Sequence, residues 1–224
     1  MNVIVTGANR GIGLELVRQL LAQGHEVEAT CRRPGEAKEL RTTGAHVHVL
    51  DITNASSVAA FARTLSGSPI DLLINNAGTY GGPLQRMEDF DYAAAMRAFD
   101  TNALGALRMT QAFLPNLRLG INKKVAHLTS GMGSISGTTS PGDLGYRMSK
   151  VALNMVSRSI ALEMHDDRII SIVIDPGWVR TEMGGPNATL LPGESVRGIL
   201  AQIEAVSLSG SGGFVDFQGR RLDW

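Results

Sequence analysis

The run Tyr146-Arg147-Met148-Ser149-Lys150 carries a phenol and an ammonium four residues apart. If it opens a helix, the two side chains stack on one face, a turn from each other. A tyrosine with an unperturbed pKa of about 10 exchanges protons poorly near neutrality. A cation fixed beside it favours the phenolate, so Lys150 is expected to lower the phenol pKa toward the range of efficient general acid–base work. Ser130 precedes Tyr146 by sixteen residues and follows the apolar run Val125 to Leu128, which reads as a buried strand. Its hydroxyl is expected at the carboxyl end of that strand, bonding the substrate oxygen that Tyr146 protonates. Three Tyr and four Lys in 224 residues produce a Tyr-x-x-x-Lys pair by accident at roughly the five-per-cent level. The trio therefore needs a hydride source elsewhere in the chain.

Short apolar runs alternate with amphipathic ones. Strands are expected at Val3 to Val5, Val27 to Thr30, Val47 to Leu50, Leu72 to Ile74, Val125 to Leu128, Ile169 to Ile174 and Gly213 to Phe217. Helices are expected at Ile12 to Gln23, Glu36 to Arg41, Ser56 to Leu65, Phe90 to Leu117, Ser149 to Met164 and Glu194 to Ala205. Continuously apolar strands alternating with helices predict an α/β domain spanning residues 1–224, a doubly wound parallel sheet of about seven strands with helices on both faces. In such a sheet a ligand binds beyond the carboxyl ends of the strands.

Those ends carry a pattern. The first is Thr6-Gly7-Ala8-Asn9-Arg10-Gly11-Ile12-Gly13, where glycines let the backbone turn tightly and a helix N-terminus offers N–H groups to a pyrophosphate. The same turn could be only a tight strand-to-helix connection. The second end is Cys31-Arg32-Arg33-Pro34, with two arginines and no carboxylate, and Arg10 adds a third cation nearby. An arginine accommodates a ribose 2′-phosphate where an acidic residue would bond a 2′-hydroxyl, so NADP(H) is expected over NAD(H); the alternative is a solvated basic turn. Cys31 reads as a small buried hydrophobe. The third and fourth ends place Asp51-Ile52 and Asn75-Asn76-Ala77-Gly78 where an adenine and a ribose would lie. Taken singly, Asp51 could cap the next helix and the Asn-Asn-Ala-Gly run could be a turn.

In this order the residues resemble the short-chain dehydrogenase/reductase superfamily across almost the whole chain: Thr6-Gly7-x-x-x-Gly11-x-Gly13, Asp51, Asn75-Asn76-Ala77-Gly78, Asn102, Ser130, Tyr146-x-x-x-Lys150 and Pro176-Gly177. Within it the chain is similar to the C-factor-like and Sniffer-like carbonyl reductases, through Cys31-Arg32, Tyr146 to Lys150, Pro176-Gly177-Trp178-Val179-Arg180-Thr181 and the segment Gly213 to Gly219 with Trp224. The resemblance implies that Tyr146 is the proton donor or acceptor, that Ser130 polarises the carbonyl, and that Lys150 holds the nicotinamide ribose. It implies that Asn102 positions a water linking Lys150 to solvent. Pro176-Gly177, with Val179 and Thr181, would back the nicotinamide. The Ser130 to Tyr146 interval is longer than the family's commonest one, and Ser134 is an alternative to Ser130. A homodimer or homotetramer formed through Phe90 to Leu117 and Ser149 to Met164 is also implied.

Lys plus Arg and Asp plus Glu balance at 21 each, so net charge points to neither nucleic acid nor an anionic membrane. The partner expected is a small-molecule carbonyl or alcohol. A lone cysteine, no signal segment before the first strand and no membrane-length apolar run predict a reducing, cytoplasmic protein. Thr79 to Leu84, Met132 to Leu144 and Trp178 to Leu191 are expected to flank an open pocket, with Tyr80, Met132 and Trp178 either as apolar walls or packed on neighbouring helices. The five histidines show no metal-ligand grouping, and His127 reads as a satisfied core residue. No metal is expected. The alternative function is dinucleotide sensing or signalling with little turnover; a sugar-nucleotide epimerase is disfavoured by the glycine spacing.

Overall fold

A computed structural model describes residues 1–83 and 85–224; Leu84, at the end of the expected Thr79–Leu84 loop, lies outside the described residues. Seven parallel strands form one sheet in the order β3-β2-β1-β4-β5-β6-β7. They are β1 (Asn2–Val5), β2 (Glu26–Cys31), β3 (His46–Val49), β4 (Leu72–Asn75), β5 (Lys124–Leu128), β6 (Ile170–Asp175) and β7 (Phe214–Asp216). The chain winds outward from β1 to β3, then returns to pair β4 with β1 and winds the other way. The connections after β1 and β4 therefore diverge, and a crevice opens at their carboxyl ends.

Alternating side chains of each strand enter opposite layers. Val3 and Val5 join a cluster with α1 (Gly11–Ala22) and α7 (Pro192–Ala205), while Ile4 joins the opposite one. That second layer holds α3 (Ala55–Thr64) and α5 (Gly105–Leu119), with Met109, Phe113 and Leu117 fully buried. Burying each such side chain contributes about 1.5–3 kcal/mol. The remaining helices are α2 (Lys38–Arg41), α4 (Tyr92–Phe99) and α6 (Leu144–Glu163). Among the described residues no helix is long and apolar enough to cross a membrane.

Two elements depart from the expected pattern in ways that matter for the site. The helix expected over Phe90 to Leu117 is broken into α4, a π-helical turn over Asp100–Leu104, and α5. Asp91 caps α4 by accepting from the Ala94 N–H at 2.9 Å. The entry into α5 presses on Ile52, whose Cδ1 lies 2.7 Å from where a Cβ on Gly105 would sit. A π turn carries one residue more than an α turn and re-aims its side chains; here it points Asn102 into the interior. The helix expected from Ser149 begins five residues earlier, at Leu144, so Tyr146 and Lys150 both lie inside its first two turns. One strand also differs: β3 is half-exposed, because it edges the sheet.

Candidate active site

A cleft of about 490 Å³ opens at the carboxyl ends of β1, β4 and β5. Its first wall is the glycine turn. Gly7 and Gly11 take positive φ, 65° and 55°, and a Cβ on Gly13 would lie 2.3 Å from the Gly7 carbonyl oxygen. Only hydrogen atoms fit there. Thr6 and Asn76 lock the turn to β4: Thr6 Oγ1 accepts from the Asn76 and Ala77 N–H groups at 3.0 Å, and Asn76 Nδ2 donates to the Thr6 and Gly7 carbonyls at 2.8 and 3.1 Å. The N-cap of α1 is Arg10, which makes no side-chain cap bond. The helix thus presents its first N–H groups and the positive end of its dipole to the cleft. Both features fit a dinucleotide pyrophosphate.

The far wall holds Asp51 and Ile52, expected to flank an adenine. Asp51 Oδ1 accepts from the Thr53 N–H and hydroxyl at 3.0 and 2.7 Å. The Thr53 hydroxyl bond holds its carboxyl below the usual range, against the opposing effect of burial, and Arg32 adds to the lowering. Asp51 does not cap α3, since Asn54 does so by accepting from Ser57 N–H at 3.1 Å. Of the three cations near β2, Arg33 pairs with Glu36 at 3.4 Å and Arg10 pairs with Glu182. Arg32 is exposed, lines the cleft and makes no ion pair among the described residues.

The floor holds the expected Tyr146–Lys150 pair, with Ser130 beside it. Tyr146 is 8% exposed and Lys150 6%. The Lys150 ammonium lies 5.6 Å from the Tyr146 ring centroid and donates to the Leu128 carbonyl at 2.8 Å. Ser130, at the end of β5, stands next to the phenol and lowers its pKa; its Oγ accepts from Met132 N–H at 3.2 Å. Ser134 is occupied elsewhere, accepting from Gly137 N–H at 2.9 Å. Burial dominates the titration of both α6 groups. It pushes the Tyr146 phenol up, opposed by Ser130 and assisted by Asp175 and Tyr80. It brings Lys150 down to about 8, with Asp175 acting in the opposite sense. The lowered phenol pKa expected from the Tyr-Lys spacing alone is thus reversed here: desolvation of the phenol is the dominant effect. Tyr146 consequently keeps its proton at neutral pH.

Asn102 is 1% exposed and does not touch Lys150. Its Nδ2 donates to the Thr79 carbonyl and Ser149 hydroxyl at 2.9 and 2.8 Å, and its Oδ1 accepts from Thr79 N–H at 2.8 Å. Space nevertheless remains between the two: a Cβ on Gly78 would stand 3.2 Å from Asn102 Oδ1 and 3.8 Å from Lys150 Nζ.

The expected cofactor residues of the glycine turn, Arg32, Asp51-Ile52, Asn76 to Gly78, Pro176 and Thr181 all line this cleft. Gly177 and Val179 do not; Val179 is buried and Gly177 N–H donates to Asp175 at 3.1 Å. Tyr80 does not line the cleft either; it packs behind it, its ring 5.0 Å from that of Tyr146. Its hydroxyl is bound by Asp143, and burial and that carboxylate push its pKa up to about 12. Met132 and Trp178 do not line the cleft; Trp178 is 57% exposed and its Nε1 donates to the Gly184 carbonyl at 2.8 Å. His127 is neutral, driven down to about 3 by burial. Its Nδ1 meets Asn75 at 3.2 Å but its Nε2 has no partner among the described residues, so it is only half satisfied. Cys31 is buried, which raises its thiol pKa.

Three positions escaped the sequence reading. Gln85 accepts from Tyr146 N–H at 2.7 Å and donates to Gly82 at 2.6 Å, tying the loop after β4 to α6; nothing in its neighbours marks it. Glu182 reaches back to Arg10 across the cleft mouth, and Asp175 sits behind Ser130. An acidic residue ahead of Pro176-Gly177 was the available signal for the last.

A seven-stranded parallel sheet with a glycine turn at its switch point and a buried Tyr-Lys pair defines a nicotinamide-dependent oxidoreductase architecture. Residues 1–189 match the short chain dehydrogenase family, and the chain belongs to it. It is 47% identical over 165 residues to C-signal of Myxococcus xanthus, covering 74% of this chain and 99% of that protein. The NADPH-bound carbonyl reductase from chicken fatty liver superposes with a TM-score of 0.92 at 32% identity, covering 100% of this chain and 98% of the other. Carbonyl reductase Sniffer of D. melanogaster gives 0.93 at 29% identity, covering 100% and 99%.

Proposed function

We propose that this protein is an NADP(H)-dependent reductase acting on a carbonyl, or the reverse on a secondary alcohol. One observation carries the reading: the buried Tyr146–Lys150 pair lines the same cleft as the glycine turn and Arg32, with the half-buried Ser130 next to the phenol. The nicotinamide, when bound, supplies or accepts the hydride.

The glycine turn and the α1 N-terminus hold the pyrophosphate. Asp51 and Ile52 flank the adenine, and Arg32 meets the 2′-phosphate. Lys150 holds the nicotinamide ribose, with Pro176 and Thr181 behind the ring. Ser130 donates to the carbonyl oxygen and orients it against the phenol. Tyr146 gives its proton to that oxygen as negative charge develops there, which a buried, protonated phenol can do at neutral pH. Lys150 stabilises the phenolate left behind. Lys150 then passes a proton toward the phenolate, and Asn102, through the gap that Gly78 leaves open, orders a water that restores the proton of Lys150 from solvent. A dimer or tetramer built on the outer faces of α4, α5 and α6 completes the proposal.

The test is NADPH consumption against a panel of aldehydes, α-dicarbonyls, quinones and ketosteroids, with Tyr146→Phe as control. Removing a general acid costs about 10²- to 10⁴-fold in turnover, with NADPH affinity nearly intact. Tight NADPH binding without turnover of any carbonyl would favour a second reading, a signalling protein of the same fold, which draws on the likeness to C-signal. The complete floor cluster favours the enzyme, because sensing needs no placed phenol.

A further inference from the structure

Asp175 ends β6 beside the end of β5, since Leu128 pairs with Ile174 in the sheet. Its Oδ1 accepts from Gly177 N–H at 3.1 Å. Its Oδ2 lies 3.3 Å from where a Cβ on Gly131 would stand, and Gly131 N–H also bonds it. One carboxylate thus spans the turn that carries Ser130 and the turn that follows Pro176. It is partly buried, and burial pushes its pKa up while the Gly177 and Gly131 N–H groups hold it down.

Asp175 forms no ion pair with Lys150, yet it is the carboxylate that acts on the ammonium, raising its proton affinity. Lys150 makes no salt bridge among the described residues, and its one hydrogen bond goes to a neutral carbonyl. On its own helix it faces Tyr146; from β5 it faces His127, which is neutral. Asp216 of β7 acts on Asp175 and is held by Arg220 at 2.6 Å. Arg97 of α4 lines the cleft and stands 4.0 Å from Asp91. Tyr80 and Arg147 stand beyond Tyr146, grouped with Asp143. A carboxylate at 175 raises the proton affinity of both neighbours, the ammonium and the phenol.

We propose that Asp175 is a positioning residue of this site, holding the Ser130 and Gly177 turns together and keeping Lys150 and Tyr146 protonated through neutral pH. The proposal rests on the assignment of Tyr146 and Lys150 as the proton-transfer pair. Its reach is electrostatic as well as steric, and that separates it from a purely structural acid.

The experiment follows Lys150 directly. The chain has four lysines, so the Cε resonances of ¹³C-lysine-labelled protein can be titrated in the wild type and in Asp175→Asn. The wild-type midpoint is expected near 8. Loss of the negative charge is expected to lower it by roughly 1 and to move the basic limb of kcat for carbonyl reduction to lower pH by a similar amount. Asp175→Ser keeps an acceptor for Gly177 without setting an amide against Gly131, and replaces the Asn variant if that one does not fold. A folded variant with an unmoved Lys150 midpoint overturns the proposal. If the midpoint moves but the wild type reduces no carbonyl, the hold of Asp175 on Lys150 stands and the reductase reading fails instead.

Discussion

Arg32→Ala should convert a cofactor preference into near indifference. Arg32 is exposed at the cleft rim and free of ion pairs among the described residues, whereas Arg10 must first leave Glu182 and Arg33 is drawn to Glu36. The 2′-phosphate therefore depends chiefly on Arg32. A hydrogen bond to a charged group contributes about 1.5–3 kcal/mol, and solvent screening at an exposed guanidinium favours the lower end. A loss of about 1.5 kcal/mol weakens NADPH binding roughly tenfold. NADH lacks the phosphate and should bind the variant as it binds the wild type. The assay is the dissociation constant of each dinucleotide, from quenching of tryptophan fluorescence or calorimetry, at low and high salt. The wild-type gap should narrow with salt, because the contact is solvent-exposed. Equal weakening of NADPH and NADH would show that Arg32 supports the cleft generally, and an unchanged NADPH constant would remove its role altogether. Either result refutes the reasoning.

Lys150→Met should abolish turnover yet stabilise the fold. A folded-state pKa of about 8 against an ordinary 10.5 means the unfolded chain binds more protons, so stability rises as pH climbs between those values. The penalty, about 3 kcal/mol, is fully present below pH 8 and gone above 10.5. Met removes it at the loss of one hydrogen bond, and melting at pH 7 should rise by about 4 °C or more, with the advantage shrinking toward pH 10. Gly78→Ala places a methyl 3.2 Å from Asn102 Oδ1 and 3.8 Å from Lys150 Nζ; thermal unfolding should hardly change while kcat falls by about 10- to 100-fold, and unchanged kcat would exclude a relay through that gap. Met148, Met155 and Leu162 expose one stripe of α6, 47%, 66% and 64% accessible. Met155→Glu with Leu162→Glu should shift light-scattering mass to the monomer; an assembly that survives both charges places the interface elsewhere.

Much of the fold was legible because period and punctuation are local. Buried strands such as Val3 to Val5 and Val125 to Leu128 announce themselves by unbroken β-branched and apolar runs, and each is followed by a glycine or small-residue turn. The same runs told nothing of partners: β3 looks like its neighbours in sequence but has only β2 beside it. The helix expected from Phe90 to Leu117 was continuous in hydrophobic pattern, and only packing of Gly105 against Ile52 and the π turn at Asp100–Leu104 explains how Asn102 comes to face inward.

For the site, the sequence alone determined which groups exist and in what order along the chain: the glycines, the strand-end arginines, and the Ser, Tyr and Lys with their spacing. Residue type fixes what a side chain can donate, accept or titrate, and spacing fixes which groups share a helix face. The tertiary structure alone decided their environment. It paired Arg10 with Glu182 and left Arg32 available, turned Trp178 away from the cleft, and set Asp175 between the Gly131 and Gly177 turns. It also reversed the expected direction of the Tyr146 pKa, because desolvation depends on everything packed around a group and is invisible to its neighbours in sequence.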